Sequence, residues 1–203
     1  MKLYNHPIAP SPRRVRIFAA EKSIPLTLVD VDIRAGASRT PEFLAKNSSG
    51  AVPVLELDDG TCLSESVAIC RYLEGLHPEP NLLGRNPREQ AEIERWNRRM
   101  ELELFGPVAR TAQNTNPIFA KLFKQFPEYG EMQRGLVRQR LERMDRELDG
   151  HAFVAGDRFT IADITALVAI DIAKILANIE CAPQLGNLAR WHQDVSGRPS
   201  AKA

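Results

Sequence analysis

Apolar residues fall at helical spacing across Ser11–Lys22, where Val15, Ile17, Phe18 and Ala19 gather, and short extended runs flank that stretch at Lys2–Asn5 and Leu26–Val31. Strand, helix and strand in that order make a βαβ unit, whose two strands are expected to run parallel with the helix crossing over. A loop at Arg34–Thr40 and a short helical piece at Pro41–Lys46 follow. Val54–Leu57 and Thr61–Leu63 then surround Asp58-Asp59-Gly60, which predicts a hairpin. Glu65–Glu74 returns to helical spacing through Val67, Ile69, Cys70 and Leu73, completing a small α/β layer.

From Gly75 to Pro87 the pattern dissolves into prolines and glycines, which marks a linker. Beyond it no strand signal survives, so the expected organisation is an α/β domain over residues 1–77, a linker over 78–87 and an all-helical domain over 88–203. Asn86-Pro87-Arg88-Glu89 supplies an N-cap, a first-turn proline and a reciprocal Glu. That helix is predicted to run through Trp96, Met100 and Leu104 to a kink at Gly106-Pro107. Val137, Leu141, Met144 and Leu148 form a one-sided stripe. Thr160-Ile161-Ala162-Asp163 reads as a capping box, and the helix it opens is apolar nearly all round, which places it at the centre of the helical domain.

Composition narrows the function classes. A net charge of +1, without a separate run of Lys or Arg, argues against a nucleic-acid groove or a polybasic membrane patch. The most apolar segment, Ile164–Leu176, carries Asp171 and Lys174 and is shorter than the roughly 20 residues a membrane span requires. Met1-Lys2-Leu3-Tyr4 gives way at once to Asn5-His6, so no signal peptide is expected. The 3 cysteines and 4 histidines have neither CxxC nor metal-ligand spacing. The expected setting is a reducing cytoplasm, with no metal and no prosthetic group.

Three segments carry candidate chemistry. In Gly50-Ala51-Val52-Pro53-Val54 a proline enters a strand it cannot bond to. A cis bond would turn the amide and carbonyl of Val52 outward to pair with an extended peptide; an ordinary trans edge proline is the alternative. In Leu63-Ser64-Glu65-Ser66-Val67, Ser64 or Ser66 could simply cap the following helix. The first-turn amides also form a carboxylate site, and Glu65 adds an acceptor for an ammonium, so together they suit the α-amino acid end of a ligand. The turn Pro7–Arg14 would place a thiol at a helix N-terminus beside the Ser11 hydroxyl. Lowering a cysteine thiol pKa by two units takes about 2.7 kcal/mol, within reach of a helix end (up to about 2 kcal/mol) and one hydrogen bond to the anion (about 1.5 to 3 kcal/mol). Ser11 as a plain N-cap with Pro12 at the first helical position is the competing reading.

Val52-Pro53, Ser64-Glu65-Ser66-Val67-Ala68-Ile69, the proline-rich linker, Phe159-Thr160-Ile161-Ala162-Asp163 and the closing Arg198-Pro199-Ser200 resemble, in that order and over the whole chain, bacterial glutathione transferases of the soluble superfamily. The resemblance implies a thioredoxin-like N-terminal domain followed by an all-α C-terminal domain and a cis Val52-Pro53 bond. It further implies Glu65 and Ser66 on the γ-glutamyl end of glutathione, Val52 on its cysteinyl backbone, and a homodimer. Glutathione would be a co-substrate, and the partner molecule an electrophile held near Asn97, Met100, Glu101 and Leu104. One departure stands out: the position where the serine and cysteine classes carry their activating residue, six before Val15, is Ala9. The tyrosine of other classes would fall at Asn5, so Ser11 is the nearest hydroxyl on the turn, with Arg13, Arg39 or Asn5 as further contacts. Two alternatives to transferase chemistry remain open: glutathione-dependent isomerase or disulfide reductase activity, and a non-catalytic regulatory binding protein.

Overall fold

The computed structural model describes residues 1–203. The chain divides into two compact units, Met1–Asn81 joined by Pro199–Ala203, and Leu82–Arg198. The last five residues thus belong with the first unit, a placement the sequence boundaries do not anticipate.

The first unit runs β1 (Lys2–Asn5), α1 (Pro10–Glu21), β2 (Thr27–Asp30), α2 (Pro41–Lys46), β3 (Val54–Glu56), β4 (Cys62–Ser64) and α3 (Ser66–Leu76). Its four strands lie in the order β2-β1-β3-β4. β1 pairs β2 in parallel, as a βαβ unit must, and pairs β3 antiparallel with Leu3 opposite Leu55. Strand alternation divides the core between two faces. Leu3 and Leu55 are fully buried, as are Val15 and Phe18 of α1 and Ile69 and Leu73 of α3. Tyr4 and Val54 take the opposite face, where Phe43 of α2 and Val31 close a second cluster and the Tyr4 and Phe43 rings meet edge to face. This mixed sheet between helices is the thioredoxin-like layer the sequence implies.

Two ties fix the helices that frame it. Lys22, buried at the end of α1, pairs with Glu74 at 2.5 Å and donates to the carbonyls of His77 and Pro80, each at 2.7 Å. At the end of α3 this cation meets the carbonyl of the C-cap residue His77, a group that a helix C-terminus leaves unpaired. The C-terminal turn Pro199–Lys202 is held to α1 through Arg13 Nη2 to the Ala201 carbonyl at 3.1 Å, and through the Ser200 hydroxyl to Glu21.

The second unit is all helical: α4 (Pro87–Arg99), a π-helical turn (Met100–Phe105), α5 (Gly106–Thr115), α6 (Pro127–Glu147), α7 (Ile161–Ala177) and α8 (Gly186–Ser196). Asn86 caps α4 by accepting from the Glu89 amide at 3.0 Å. The Glu89 carboxylate reaches back to the Arg85 amide at 2.7 Å, one residue before the cap. The predicted disturbance at Gly106-Pro107 takes the form of the π turn just before it. Pro107 has no N–H to give the preceding turn, and wider spacing there absorbs the missing bond. Residues Ile161 to Ile170 of α7 are all buried, so this helix is the centre of the unit. Its capping box is present: the Ala162 amide donates to Thr160 Oγ1 at 3.3 Å, and Asp163 accepts from the Thr160 amide at 2.9 Å.

Candidate functional site

The start of α3 is a helix end without a side-chain cap. Its N-cap residue is Glu65, exposed, with φ +67° and ψ 110°. A glutamate seldom adopts positive φ, and such outliers gather where function needs them. Ser64 is the last residue of β4, opposite Val54, and Ser66 is the first residue of the helix. Neither serine is therefore the cap. Ser66 is 6% exposed and accepts a hydrogen bond from Arg14 Nη1 at 2.8 Å. The first-turn amides of α3, with no cap to receive them, face outward as donors for an anion.

Val52 and Pro53 are joined by a cis bond, and β3 begins only at Val54. The backbone N–H and C=O of Val52 make no hydrogen bond within the chain. The loop before it is braced: Asn47 Nδ2 donates to the Ala51 carbonyl at 2.8 Å, and Arg39 Nη1 donates to the Ser49 carbonyl at 2.9 Å. Gly50 sits under Arg39 at φ +63°, where a Cβ would come within 2.6 Å of Nη1 and 2.8 Å of the Ser38 carbonyl. Both space and backbone require glycine there.

The third element, the start of α1, corrects one expectation. The N-cap is Ala9, which makes no side-chain cap bond, and Pro10, Ser11 and Pro12 are the first three helical residues. Ser11 is thus the second residue of the helix rather than its cap, and Pro12 is the third. Pro10 already fills the position that favours proline, because its φ is set for the helix and no N–H is wanted. Two prolines leave Ser11 as the sole N–H among those three residues, and its half-buried hydroxyl as the sole hydroxyl. No acidic side chain lies in the first turn to offset the positive end.

The further contacts considered from sequence are engaged inside the first unit. Asn5 donates to Asp30 at 2.7 Å and accepts from Arg16. Burial, and then the nearby Arg13, lower the pKa of Arg16. Arg13 holds the C-terminal turn and Arg39 the Ser49 carbonyl. Cys70 is fully buried, with its thiol pKa pushed up to about 12 by burial, and burial also raises Cys181. Burial works against the charged form of both thiols.

The residues expected to hold an electrophile need a second correction. Asn97, Met100 and Leu104 are each 0% exposed, in step with Ile93 and Val108 on the core-facing stripe of the α4–α5 run. Asn97 Oδ1 accepts from Thr165 on α7 at 2.6 Å. The spacing that marks these positions marks the core of the helical unit. Of the four, only Glu101 is partly exposed, and it pairs with Arg98 at 2.6 Å. A cavity of about 680 Å³ in this unit is lined by other residues, Leu102, Glu103, Tyr129, Gln133, Arg140 and Arg143 among them. Sequence reasoning also missed Arg14, although a charged residue beside Val15 on the apolar stripe of α1 was a usable signal.

Comparison with known proteins bears on the same elements. Residues 9–76 match the model of the glutathione S-transferase N-terminal domain, and residues 111–199 that of the C-terminal domain. Glutathione S-transferase 2 of Saccharomyces cerevisiae is 37% identical over 100% of this chain and 88% of its own length. The crystal structure of Gtt2 from the same yeast superposes with a TM-score of 0.92 at 37% identity, covering 100% of this chain and 99% of that one. A glutathione S-transferase domain-containing protein from Marinobacter aquaeolei gives 0.91 at 37% identity, over 98% and 99% of the two chains. Yeast and bacterial relatives together fix the family without fixing a bacterial origin. With both domain models matched and this similarity spanning the whole chain, the protein belongs to the glutathione S-transferase family.

Proposed function

We propose that this protein is a glutathione transferase that binds glutathione in its first unit, lowers the pKa of the bound thiol and directs the thiolate to an electrophilic small molecule. The observation that carries the reading is the α3 N-terminus, where Glu65 holds a positive φ and no side chain caps the helix. The γ-glutamyl carboxylate would take the first-turn amides and Ser66, and its ammonium would take Glu65. Val52, with its backbone groups unbonded, would pair with the cysteinyl backbone beside Pro53, and Arg39 would brace the loop that presents it. The thiol would then meet Ser11. Calorimetry with glutathione, together with conjugation of an activated aryl chloride, tests this. Binding with turnover supports it, and absence of binding removes it.

Ala9 and the two prolines that flank Ser11 favour one second reading, a protein that binds glutathione without activating it. Retention on a glutathione column with no turnover across several electrophiles would establish that instead. In either case a cytoplasmic homodimer is the proposed state. Leu102, Tyr129, Met132 and Leu136 are exposed on the π turn and α6, an apolar surface of the kind that marks an interface. A monomer mass by light scattering at micromolar concentration would contradict the dimer.

A further inference from the structure

Between α5 and α6 the chain runs Pro117-Ile118-Phe119-Ala120-Lys121-Leu122-Phe123-Lys124-Gln125-Phe126, a stretch without an acid. The polar side chains at its base turn inward. Asn116 Oδ1 accepts from the Ile118 amide at 3.0 Å, while its Nδ2 donates to the Leu176 carbonyl of α7 at 2.8 Å. Gln125 Nε2 donates to the carbonyls of Gln113 and Asn116, each at 2.8 Å, and the Phe126 amide donates to Asn114 Oδ1 at 3.0 Å. These bonds brace the loop and leave its apolar side chains outside: Ile118, Leu122, Phe123 and Phe126 are 41% to 56% exposed. Lys121 and Lys124 are exposed as well and form no ion pair within the chain; Lys124 Nζ lies 5.3 Å from the centre of the Phe126 ring.

A loop free to collapse would cover these side chains, and a contiguous apolar patch held in water marks a surface that meets a partner. The charges say which kind. A twofold contact between copies of this segment would set lysine against lysine with no carboxylate between them. Aromatic and aliphatic side chains interleaved with unpaired lysines suit instead the boundary between lipid headgroups and acyl chains. We propose that residues 117–126 form a docking surface for an anionic lipid bilayer, in which Ile118, Leu122, Phe123 and Phe126 enter that boundary and Lys121 and Lys124 stay at the phosphates. Two lysines make no polybasic patch; the apolar side chains anchor, and the lysines favour anionic lipid. Because the loop is already braced, docking need not order it. Docking by so short a segment is reversible, and it does not depend on the glutathione reading.

The test is sedimentation of the full chain with vesicles of phosphatidylcholine alone, and with vesicles of phosphatidylcholine and phosphatidylglycerol in equal parts. The anionic vesicles should bind it at least about tenfold more strongly, since each lysine near such a surface is worth about fivefold. Lys121→Gln and Lys124→Gln should each weaken that binding about fivefold, and Phe123→Ser and Phe126→Ser about tenfold, with melting temperatures unchanged. Binding that is absent from anionic vesicles, equal on both kinds or undiminished in the variants would overturn the proposal. A lower mass by light scattering in the phenylalanine variants would assign the patch to a contact between copies, and would overturn it too. Should those variants not fold, hydrogen exchange of the wild-type protein decides. Protection by anionic vesicles over residues 117–126 supports docking there, and protection elsewhere, or none, removes it.

Discussion

The indole N–H of Trp191 donates to Asp163 Oδ1 at 2.9 Å, joining α8 to the first turn of α7 in the interior of the helical unit. The same carboxylate accepts from the Val154 amide at 2.8 Å, the Thr160 amide at 2.9 Å and the Thr160 hydroxyl at 3.2 Å. Asp163 is 0% exposed, and burial raises its pKa against the pull of these donors. The capping box visible in the sequence is thus also the hub of a buried network, and each lost partner would strand a donor at about 1 to 3 kcal/mol. Asp163→Asn, which turns an NH2 toward two donors, is expected to cost about 3 to 5 kcal/mol, and Trp191→Phe about 1 to 2 kcal/mol. Urea unfolding with an unchanged slope measures both; a loss under about 1 kcal/mol for Asp163→Asn would show that the network is not needed.

On the sheet, Glu56 gathers Lys46 at 2.5 Å, Lys2 at 3.0 Å and the Tyr4 hydroxyl at 2.9 Å. The bond from Lys46, followed by those from Lys2 and Tyr4, holds the carboxyl pKa down to about 2 from 4.5. A folded-state pKa below the unfolded value gives stability that is present above about pH 4.5 and disappears as pH falls toward 2. Glu56→Gln should therefore lower the melting temperature at neutral pH, with the two proteins converging near pH 2. A difference that stays constant across that range would show that the carboxylate's charge is not its source.

Much of this fold is legible because its signals are local. The Asp58–Gly60 turn, the Asn86 cap and the Thr160–Asp163 box each declare themselves within four residues, and the apolar runs between them set the element order. The misplaced start of α1 comes from the same kind of signal. Ser11-Pro12 looks like a cap and a first position, but Ala9-Pro10 takes those places without any side-chain help. The pocket residues misled for a different reason, since apolar spacing identifies a buried face without saying whether core or ligand covers it. The Arg14–Ser66 bond and the clasp of Pro199–Ala203 on α1 span 52 and more than 170 residues, and only the folded chain brings them together.

Glu65 combines a ligand role with an uncomfortable backbone. Glu65→Ala should weaken glutathione binding by about 1.5 to 3 kcal/mol, the value of a hydrogen bond to a charged group, without unfolding an exposed site. Glu65→Gly should lose the same affinity. At φ +67° it should nonetheless be more stable than Glu65→Ala by about 1 kcal/mol, because glycine alone adopts that conformation without steric penalty. Calorimetry and thermal melts on the pair separate the two effects. Unchanged affinity in both variants would remove Glu65 from the site.

Ser11 is the sharpest case, because Pro10 and Pro12 strip the first three positions of α1 of every N–H but its own. A sulfur at this helix end would therefore rest on the Ser11 amide and hydroxyl together, without the several backbone amides that most helix N-termini present. Ser11→Ala removes the hydroxyl and keeps the amide. It should raise the pKa of bound glutathione by about one unit, equivalent to about 1.4 kcal/mol, and lower turnover at neutral pH. Because Ser11 is not the cap, stability should move by less than about 0.5 kcal/mol. Ala9→Ser tests the same geometry from the other side. A serine oxygen at the N-cap would accept from the Ser11 amide, the one first-turn donor in reach, and leave its own proton for the sulfur. That variant should melt higher by about 0.5 to 1 kcal/mol and turn over faster. Absorbance of the bound thiolate titrated against pH in all three proteins reads the outcome. A thiol pKa that does not move in Ser11→Ala would take Ser11 out of the mechanism, and a more stable but slower Ala9→Ser would show that the sulfur depends on the amide itself.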